Sequence, residues 1–356
     1  MLRAVSIAGL AATAIATSCW RNTTCTGPVV ASFPGPWERN MYSPASRIVR
    51  PRSVLAPSGA ALSSYTDDAK LSLSASSPTL VLDFGLEVGG VVSLSYTLSG
   101  ADTAPIGLAF TEAKDYIGPR SDSSRADPGG KDGDGPLLAT ATSEGHYVVP
   151  DANLRGGFRY LTLFLDDPEP EVALDLASVS LELSFQPTWS DLRAYGGYFH
   201  SDDELLNKIW YSGAYTVQTN SVPGRTGRGS LEEEEPGWLN DAFITEGDTV
   251  LLDGAKRDRW VWIGDMGVAV PSAFVGTGDL ESTKHALLAI YDYQVSRCAG
   301  NSISFRLFLL SPPPRGQSPL TRGRERTACS RRPAHLMLSS TVTVSGPRSV
   351  FVWTVH

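Results

Sequence analysis

The sequence is poor in the residues that mark metal, redox and phosphate-binding proteins. Its 356 residues include four cysteines, four methionines and five histidines. No histidine or cysteine pair has the spacing of zinc ligands, and no glycine-rich segment carries the lysine of a P-loop. The sequence therefore predicts a protein that needs neither a metal ion nor an organic cofactor.

Positive charge is scarce as well. Lys and Arg total 30 against 38 Asp and Glu, which gives a formal net charge of −8. A nucleic-acid partner needs a basic patch to meet its phosphates, so this balance argues against one. Residues 298–356 hold eight of the arginines and one acid, so the rest of the chain is more acidic than the total. That acidity is compatible with an enzyme that binds neutral sugars.

Long hydrophobic runs are missing except at the start of the chain. The run from Ala4 to Ala16 follows a positive Arg3 and ends in Ala14-Ile15-Ala16, which fits the pattern before a signal-peptidase site. A transmembrane anchor is the alternative, but the run is shorter than the ~20 residues needed to cross a bilayer. We therefore expect a signal peptide over residues 1–16, a secreted, extracellular protein and no membrane partner.

The first two cysteines support the same route. In an exported chain, Cys19 and Cys25 are expected to form a local disulfide. Asn22 opens a glycosylation sequon between them, which predicts a glycoprotein. An unoccupied sequon on a flexible end is the alternative.

Hydrophobic periodicity divides the rest of the chain. Residues 17–59 are rich in Pro, Ser and Gly and predict an extended lead-in on the surface. Residues 60–196 alternate apolar and polar positions, as from Val92 to Tyr96, which predicts strands with one buried face. Turn residues at short intervals favour a β-sandwich domain. A long loop is expected over residues 119–136, which are dense in Gly, Asp and Ser.

A helical period begins after residue 197. Ser201 to Glu204 has the pattern of a capping box with Ser201 as N-cap, which predicts a helix over 202–218. Further helices are expected over 266–276 and from Asp279 onward. Residues 197–297 therefore form the start of a helical domain.

The final segment, 298–356, follows neither period. It contains three consecutive prolines and an arginine-rich stretch, and it lacks Lys and Asp. A basic tail that binds RNA or membrane is one interpretation. We favour the other, in which a translated intron or a shifted frame has supplied sequence foreign to the fold, which would then be disordered.

The densest polar cluster lies at residues 253–266, DGAKRDRWVWIGDM. Asp253, Asp258 and Asp265 are spaced by five and seven residues among three cations and two tryptophans. Glycoside hydrolysis needs one carboxylic acid to protonate the leaving oxygen and a second carboxylate to act on water or carbon. Tryptophan offers an apolar face to sugar C–H groups, and arginines keep neighbouring carboxylates ionised. A surface turn in which the Asp and Arg side chains pair is the alternative.

A second group of acids, Glu232 to Glu235, is a weaker candidate. A charge run within a Gly- and Pro-rich stretch is typical of a solvated loop. We therefore expect no catalytic carboxylate there.

The 253–266 segment is similar to the signature of glycoside hydrolase family 78, the α-L-rhamnosidases, and most of all to the fungal branch. Other segments of the resemblance follow in the expected order, Gly156–Tyr160, Gly197–Ser201, Leu205–Tyr211 and Val270–Phe274. The resemblance covers about residues 19–297. It implies an N-terminal β-sandwich followed by a truncated (α/α)6 barrel of the six-hairpin glycosidase superfamily.

The resemblance also implies roles for individual residues. Asp258 falls at the position of the general acid of an inverting hydrolase, and Arg257 lies next to it. Asp253 and Asp265 would bind rhamnose hydroxyls, and Trp262 matches the signature tryptophan. The partner would be a terminal α-L-rhamnoside, in a glycoside or a plant polysaccharide.

This chain departs from the family pattern at two points, and three hypotheses about its function follow. Many relatives carry Glu where this chain has Asp258, and Asp is one methylene shorter. The family's general base lies on a later helix, and no counterpart exists if the chain leaves the pattern near Cys298. We therefore expect a truncated, inactive rhamnosidase. A non-catalytic carbohydrate-binding protein or pseudoenzyme is the alternative, and another six-hairpin glycosidase or lyase is a third.

Overall fold

An antiparallel sheet holds most of the regular structure. The computed structural model describes residues 18–22, 25, 31–125, 133–229 and 237–292. These lie within one compact unit, Met1–Gln294. The predicted signal peptide at 1–16 and the predicted tail at 298–356 fall outside the described residues.

Ten strands make up the main sheet among the described residues. They are β1 (Ile48–Val49), β2 (Ser53–Leu55), β3 (Ala61–Ser64), β4 (Leu71–Ser74), β5 (Thr79–Ser99), β6 (Thr103–Thr111), β7 (Leu137–Thr142), β8 (His146–Val148), β9 (Arg155–Leu165) and β10 (Ala173–Leu183). The central order is β1-β10-β5-β9-β6-β7, while β2 pairs with β3 and β5, β4 with β10, and β8 with β5. This mostly antiparallel architecture is consistent with the predicted β-sandwich.

Strand β5 connects the two halves of the sheet. Its first part, Thr79–Asp83, pairs with β9, and its second part, Gly90–Ser99, pairs with β10. In the second part, the alternation predicted from Val92 to Tyr96 is confirmed, because the apolar residues are buried and the serines between them are more exposed. Aromatic side chains fill the core beneath, where Phe158 lies edge-on to Phe84 and Phe110 at ring-centroid distances of 5.6 Å and 4.9 Å.

Part of the lead-in predicted over residues 17–59 belongs to the sheet instead of forming a surface extension. Strands β1 and β2 lie within it, and β2 pairs with β5. The Arg47 guanidinium donates to four main-chain carbonyl groups, among them those of Leu183 and Trp189. Strands of two or three residues are too short to show a period of two, which is why the sequence did not predict them. Nearby, the predicted Cys19–Cys25 disulfide is present, with a Cα–Cα distance of 5.1 Å.

Three helices follow the sheet, together with a short two-stranded ladder. These elements are α1 (Glu204–Asn220), β11 (Ser221–Val222), β12 (Val250–Leu251), α2 (Ile263–Gly276) and α3 (Glu281–Asp292). The three described helices do not confirm an (α/α)6 barrel. None of them is long and apolar enough to cross a membrane.

The predicted start of the first helix was wrong. The N-cap is Asp203, whose carboxylate accepts hydrogen bonds from the N–H groups of Leu205 and Leu206. The predicted cap, Ser201, lies before the helix, and its hydroxyl donates to the Asp203 carbonyl group at 3.0 Å. Both residue types cap helices well, so the four-residue pattern did not distinguish between them.

The first two helices carry apolar side chains on their exposed surface. On α1, Leu205 is 65% exposed and Ile209 is 57% exposed, while on α2 the values are 74% for Val268 and 60% for Phe274. The opposite face of α1 is buried through Tyr211, Ala214 and neighbouring residues. These helices therefore carry apolar side chains on exposed as well as on buried positions.

Candidate functional site

The three predicted acids lie on one stretch of chain that runs from the end of β12 into the first turn of α2. Asp253 lies two residues after β12, and its N–H donates to the Trp260 carbonyl group at 3.0 Å. In return, Asp253 Oδ1 accepts from the Trp260 N–H at 3.0 Å. These two bonds close residues 253–260 into what we call the acid loop. Asp258 lies within the acid loop, and Asp265 lies in the first turn of α2.

The acid loop has an unusual backbone at two consecutive positions. Asp258 has φ 58° and Arg259 has φ 54°, both in the left-handed region. For residues other than glycine this conformation costs about 1 kcal/mol or more at each position. It persists only where surrounding contacts hold it in place.

Arg259 provides those contacts. Its guanidinium is fully buried and donates to the Thr226 carbonyl oxygen from Nη2 at 2.7 Å and from Nε at 3.0 Å. Nη2 also donates to Thr226 Oγ1 at 3.0 Å, and Nη1 donates to the Ala255 carbonyl oxygen at 2.6 Å. Sequence reasoning missed this role, because a buried arginine cannot be told from its charged neighbours in the same run.

Strand β9 approaches the acid loop through two glycines. The Gly157 N–H donates to the Ala255 carbonyl oxygen at 2.8 Å. A Cβ on Gly156 would overlap that same oxygen, and a Cβ on Gly157 would overlap Glu87 Oε1. The lack of a side chain at Gly156 therefore allows the sheet to approach the acid loop this closely.

The loop after β6 contacts the acid loop from another side. The Asp258 N–H donates to the Ser124 carbonyl oxygen at 3.1 Å. Lys256 Nζ lies 2.6 Å from Glu112 Oε2 and 3.5 Å from Asp122 Oδ2. Main-chain and charged contacts from the sheet thus bracket the residue predicted to be the general acid.

The three acids influence one another electrostatically. The pKa of Asp253 is raised to about 7, mainly by burial and also by the negative charges of Asp258 and Asp265, although the hydrogen bond from the Trp260 N–H lowers it. Asp253 therefore lies close enough to both other acids for their charges to matter. The carboxyl group with the raised pKa is one that the resemblance assigned to hydroxyl binding.

The other predicted site residues are more exposed. The Asp258 side chain is 17% exposed, and its Oδ1 lies 3.4 Å from Nε of the exposed Arg257. Asp265 is exposed at the surface of α2. Trp262 is 41% exposed and stacks on Trp260 with ring centroids 5.8 Å apart. Two carboxyl groups, a cation and an exposed aromatic face thus lie within nine residues of chain, from Arg257 to Asp265.

Two further expectations concern this region. Glu232 to Glu235, predicted to be a solvated loop, lie outside the described residues. Within the part of the chain that the structure describes, no group of His, Cys, Asp and Glu side chains could hold a metal ion.

Replacing Asp253 by asparagine is expected to change how stability depends on pH. The pKa of Asp253 rises from 3.8 when unfolded to about 7 when folded, so the folded state binds more protons between these values. The contribution of Asp253 to the free energy of unfolding therefore falls as the pH rises from 4 to 8. Asparagine keeps the acceptor for the Trp260 N–H but does not titrate, so the variant should gain roughly 1–3 kcal/mol relative to wild type over that range.

Urea unfolding at pH 4 and at pH 8, followed by tryptophan fluorescence, measures this difference in the free energy of unfolding. The matched control is Asp202→Asn, an exposed acid outside the acid loop. Equal pH slopes for wild type and the Asp253 variant would show that Asp253 is not a buried acid.

Comparison with known proteins finds likeness only among solved structures. No family model matches the chain, and no curated protein matches it. The chain is similar to a rhamnosidase from Klebsiella oxytoca with rhamnose bound, with a TM-score of 0.47 and 17% identity over 67% of this chain and 42% of that one. It is also similar to a family GH78 rhamnosidase of Bacillus sp. GL1, with a TM-score of 0.39 and 19% identity over 59% of this chain and 17% of that one.

A third similar structure is an α-L-rhamnosidase of Streptomyces avermitilis complexed with L-rhamnose. Its TM-score is 0.39 and its identity 17%, over 70% of this chain and 19% of that one. This chain spans less than half the length of each of the three proteins. The solved structures that the chain resembles are thus rhamnosidases, the same family that its sequence resembles. A fungal origin is not shown. Likeness at this level does not extend to activity, substrate or site residues.

Proposed function

We propose that this chain carries the sugar-binding part of an inverting α-L-rhamnosidase, which releases terminal α-L-rhamnose from glycosides or plant polysaccharides. The observation that carries the proposal is the acid loop. Its sequence resembles the family signature, and the charges of Asp258 and Asp265 both contribute to the raised pKa of Asp253. The exposed Trp262, two residues beyond the acid loop, stacks on Trp260 and offers an apolar face of the kind that a sugar ring packs against.

Each side chain has a proposed task. Asp258 protonates the glycosidic oxygen, and Arg257 lies beside it. Asp253 and Asp265 bind rhamnose hydroxyls, and Trp262 contacts the apolar face of the ring. An inverting enzyme also needs a second carboxylate, ~6.5–9.5 Å from the first, to activate water. We assign no described residue to that task, and we therefore expect this chain to bind rhamnose with little or no hydrolysis.

A non-catalytic carbohydrate-binding protein is the second candidate. The acid loop supplies hydroxyl acceptors and an aromatic face, but the described residues supply no assigned base. The two candidates share the binding step and differ only in turnover. Release of the aglycone from an aryl rhamnoside would favour the enzyme, and saturable binding without release would favour the binding protein.

Titration calorimetry with L-rhamnose tests the shared step. We expect saturable binding to the wild-type chain and at least tenfold weaker binding to Asp265→Asn, because an exposed carboxylate that accepts sugar hydroxyls contributes about 1.4 kcal/mol or more. The control variant is again Asp202→Asn, which should bind like wild type. L-Fucose serves as the control sugar. Absence of saturable rhamnose binding, or equal binding of both sugars, would contradict the proposal.

We further propose that the protein is secreted after loss of residues 1–16 and carries a glycan on Asn22. The disulfide between Cys19 and Cys25 supports an oxidising compartment. The mass of the mature chain from a secreting host, before and after enzymatic deglycosylation, checks both points.

A further inference from the structure

The backbone of Asp258 is held by the sheet rather than by the helices that follow it. Its N–H donates to the carbonyl oxygen of Ser124, in the loop after β6, at 3.1 Å. Asp258 also has a left-handed backbone and a short side chain. The position of its carboxyl group therefore follows the position of its main chain closely.

Ser124 is itself held by a buried carboxylate. Asp134 Oδ2 accepts from the Ser124 N–H at 2.9 Å and from the Ser124 hydroxyl at 2.6 Å. The same oxygen accepts from Arg155 Nη1 at 2.7 Å. The side chains of Arg155 and Asp134 are only 1% and 6% exposed, so water competes little for these bonds.

Two arginines extend this network on either side of Ser124. Arg155 Nη2 donates to the Asp122 carbonyl oxygen at 2.7 Å, which fixes the chain two residues before Ser124. Arg228, from the segment after β11, donates from Nε to Ser124 Oγ at 3.1 Å. The position of Ser124 is thus fixed by its bonds with Asp134 and Arg228 and by the bond from Arg155 to the nearby Asp122. Ser124 in turn accepts the hydrogen bond from the Asp258 N–H.

We propose that Ser124, Asp134 and Arg155 are positioning residues that set the place of the Asp258 carboxyl group. The chain of contacts runs from the buried ion pair to the Ser124 main chain and from there to the Asp258 N–H. The sheet domain is then a working part of the site and not a separate module. This inference rests on the proposed function for the meaning of Asp258, but its structural content is tested without a substrate.

The physical reason lies in the geometry of proton transfer. A misplacement of about 1 Å can lower the rate about a hundredfold. Asp has one methylene less than Glu with which to make up for such a shift. The left-handed backbone at Asp258 could relax if only contacts within the acid loop held it. The Ser124 carbonyl oxygen, which lies in the loop after β6, prevents this.

The test uses Ser124→Ala in the full chain. This variant keeps the carbonyl acceptor but loses the hydroxyl contacts to Asp134 and Arg228. We expect the Asp258 amide to exchange with solvent hydrogen about tenfold faster than in wild type. The amide of Leu252, which donates to the Asn220 carbonyl group next to the acid loop, should keep its rate.

A second readout follows the carboxyl groups by NMR titration. Asp253 faces Asp258, Asp265 and the buried Arg259. If Ser124→Ala lets the acid loop open to water, the pKa of Asp253 should fall towards the ordinary range of aspartate. The conservative variant Ser124→Thr retains a hydroxyl and should restore both the exchange rate and the pKa.

Ser123→Ala is the matched control, because the Ser123 hydroxyl contacts only the Arg125 main chain among the described residues. An unchanged Asp258 exchange rate in Ser124→Ala would overturn the inference. An equal rise at Leu252 would also overturn it, because it would indicate general loosening. Neither readout needs sugar, so failure here is distinct from failure to bind rhamnose.

Discussion

Replacing Arg259 by methionine is expected to lower the free energy of unfolding by roughly 2–4 kcal/mol. The variant leaves the Thr226 carbonyl oxygen without its buried donors, and an orphaned group of this kind costs about 1–3 kcal/mol. The Thr226 hydroxyl also loses the Arg259 donor but keeps its own hydrogen bond to the Pro223 carbonyl oxygen at 2.9 Å. The left-handed backbone at Asp258 and Arg259 also loses the contacts that hold it. Relief from burying a guanidinium, whose pKa burial lowers to about 10, offsets part of this loss.

The neighbouring arginine provides the control for this experiment. The Arg257 side chain is 61% exposed, and its Nε lies 3.4 Å from Asp258 Oδ1. Arg257→Met should therefore change stability by less than about 0.5 kcal/mol. Urea unfolding followed by tryptophan fluorescence measures both variants. Equal losses would mean that Arg259 does not support the acid loop in the way the hydrogen bonds indicate.

Replacing Asp134 by alanine should be more damaging still, with an expected loss of about 3–5 kcal/mol. The substitution leaves the Arg155 guanidinium buried without its carboxylate partner. Arg155 lies 5.3 Å over the ring of Trp238, which offers some compensation but no hydrogen-bond acceptor. The same change removes the two hydrogen bonds that hold Ser124.

An exposed pair tests whether burial is the reason. Asp67 contacts Arg50 at 2.7 Å, with side chains 43% and 51% exposed. Asp67→Ala should cost at most about 1 kcal/mol. The double variant Asp134→Ala with Arg155→Met should recover part of the loss, because it removes the unpaired charge. No difference between the Asp134 and Asp67 variants in urea would contradict this account.

The sheet could be predicted from the sequence where its strands are long. Strand β5 is 21 residues long, so its alternation of apolar and polar residues is visible from Val92 to Tyr96. Strand β2 has three residues and depends on pairing with β5, which is a contact between distant segments. Its existence was decided by tertiary structure, and no local pattern could show it.

The helices were predicted in kind but not at every boundary. The change of period after residue 197 marked their start, and α2 begins at Ile263, three residues before the prediction. Ser201 and Asp203 both satisfy the rule for an N-cap. The choice between them depends on which oxygen reaches the free N–H groups, and that is a matter of geometry.

The candidate site was predicted only in part for a similar reason. The spacing of Asp253, Asp258 and Asp265 drew attention to the acid loop. The contacts that hold it come from Ser124 and Thr226, which lie far away along the chain. Ser and Thr are so common at surfaces that nothing in their local sequence marks these two as supports.

The exposed apolar side chains on α1 and α2 bear on how every solution experiment must be run. Apolar surface is exposed to water at Leu205, Ile209, Val268 and Phe274. Exposed apolar surface promotes self-association. Fluorescent dyes such as ANS should bind there and brighten even while the sheet stays folded, so dye binding will not report unfolding. Titration calorimetry needs concentrated protein, so light scattering should accompany it. Heat from self-association can then be distinguished from heat of sugar binding.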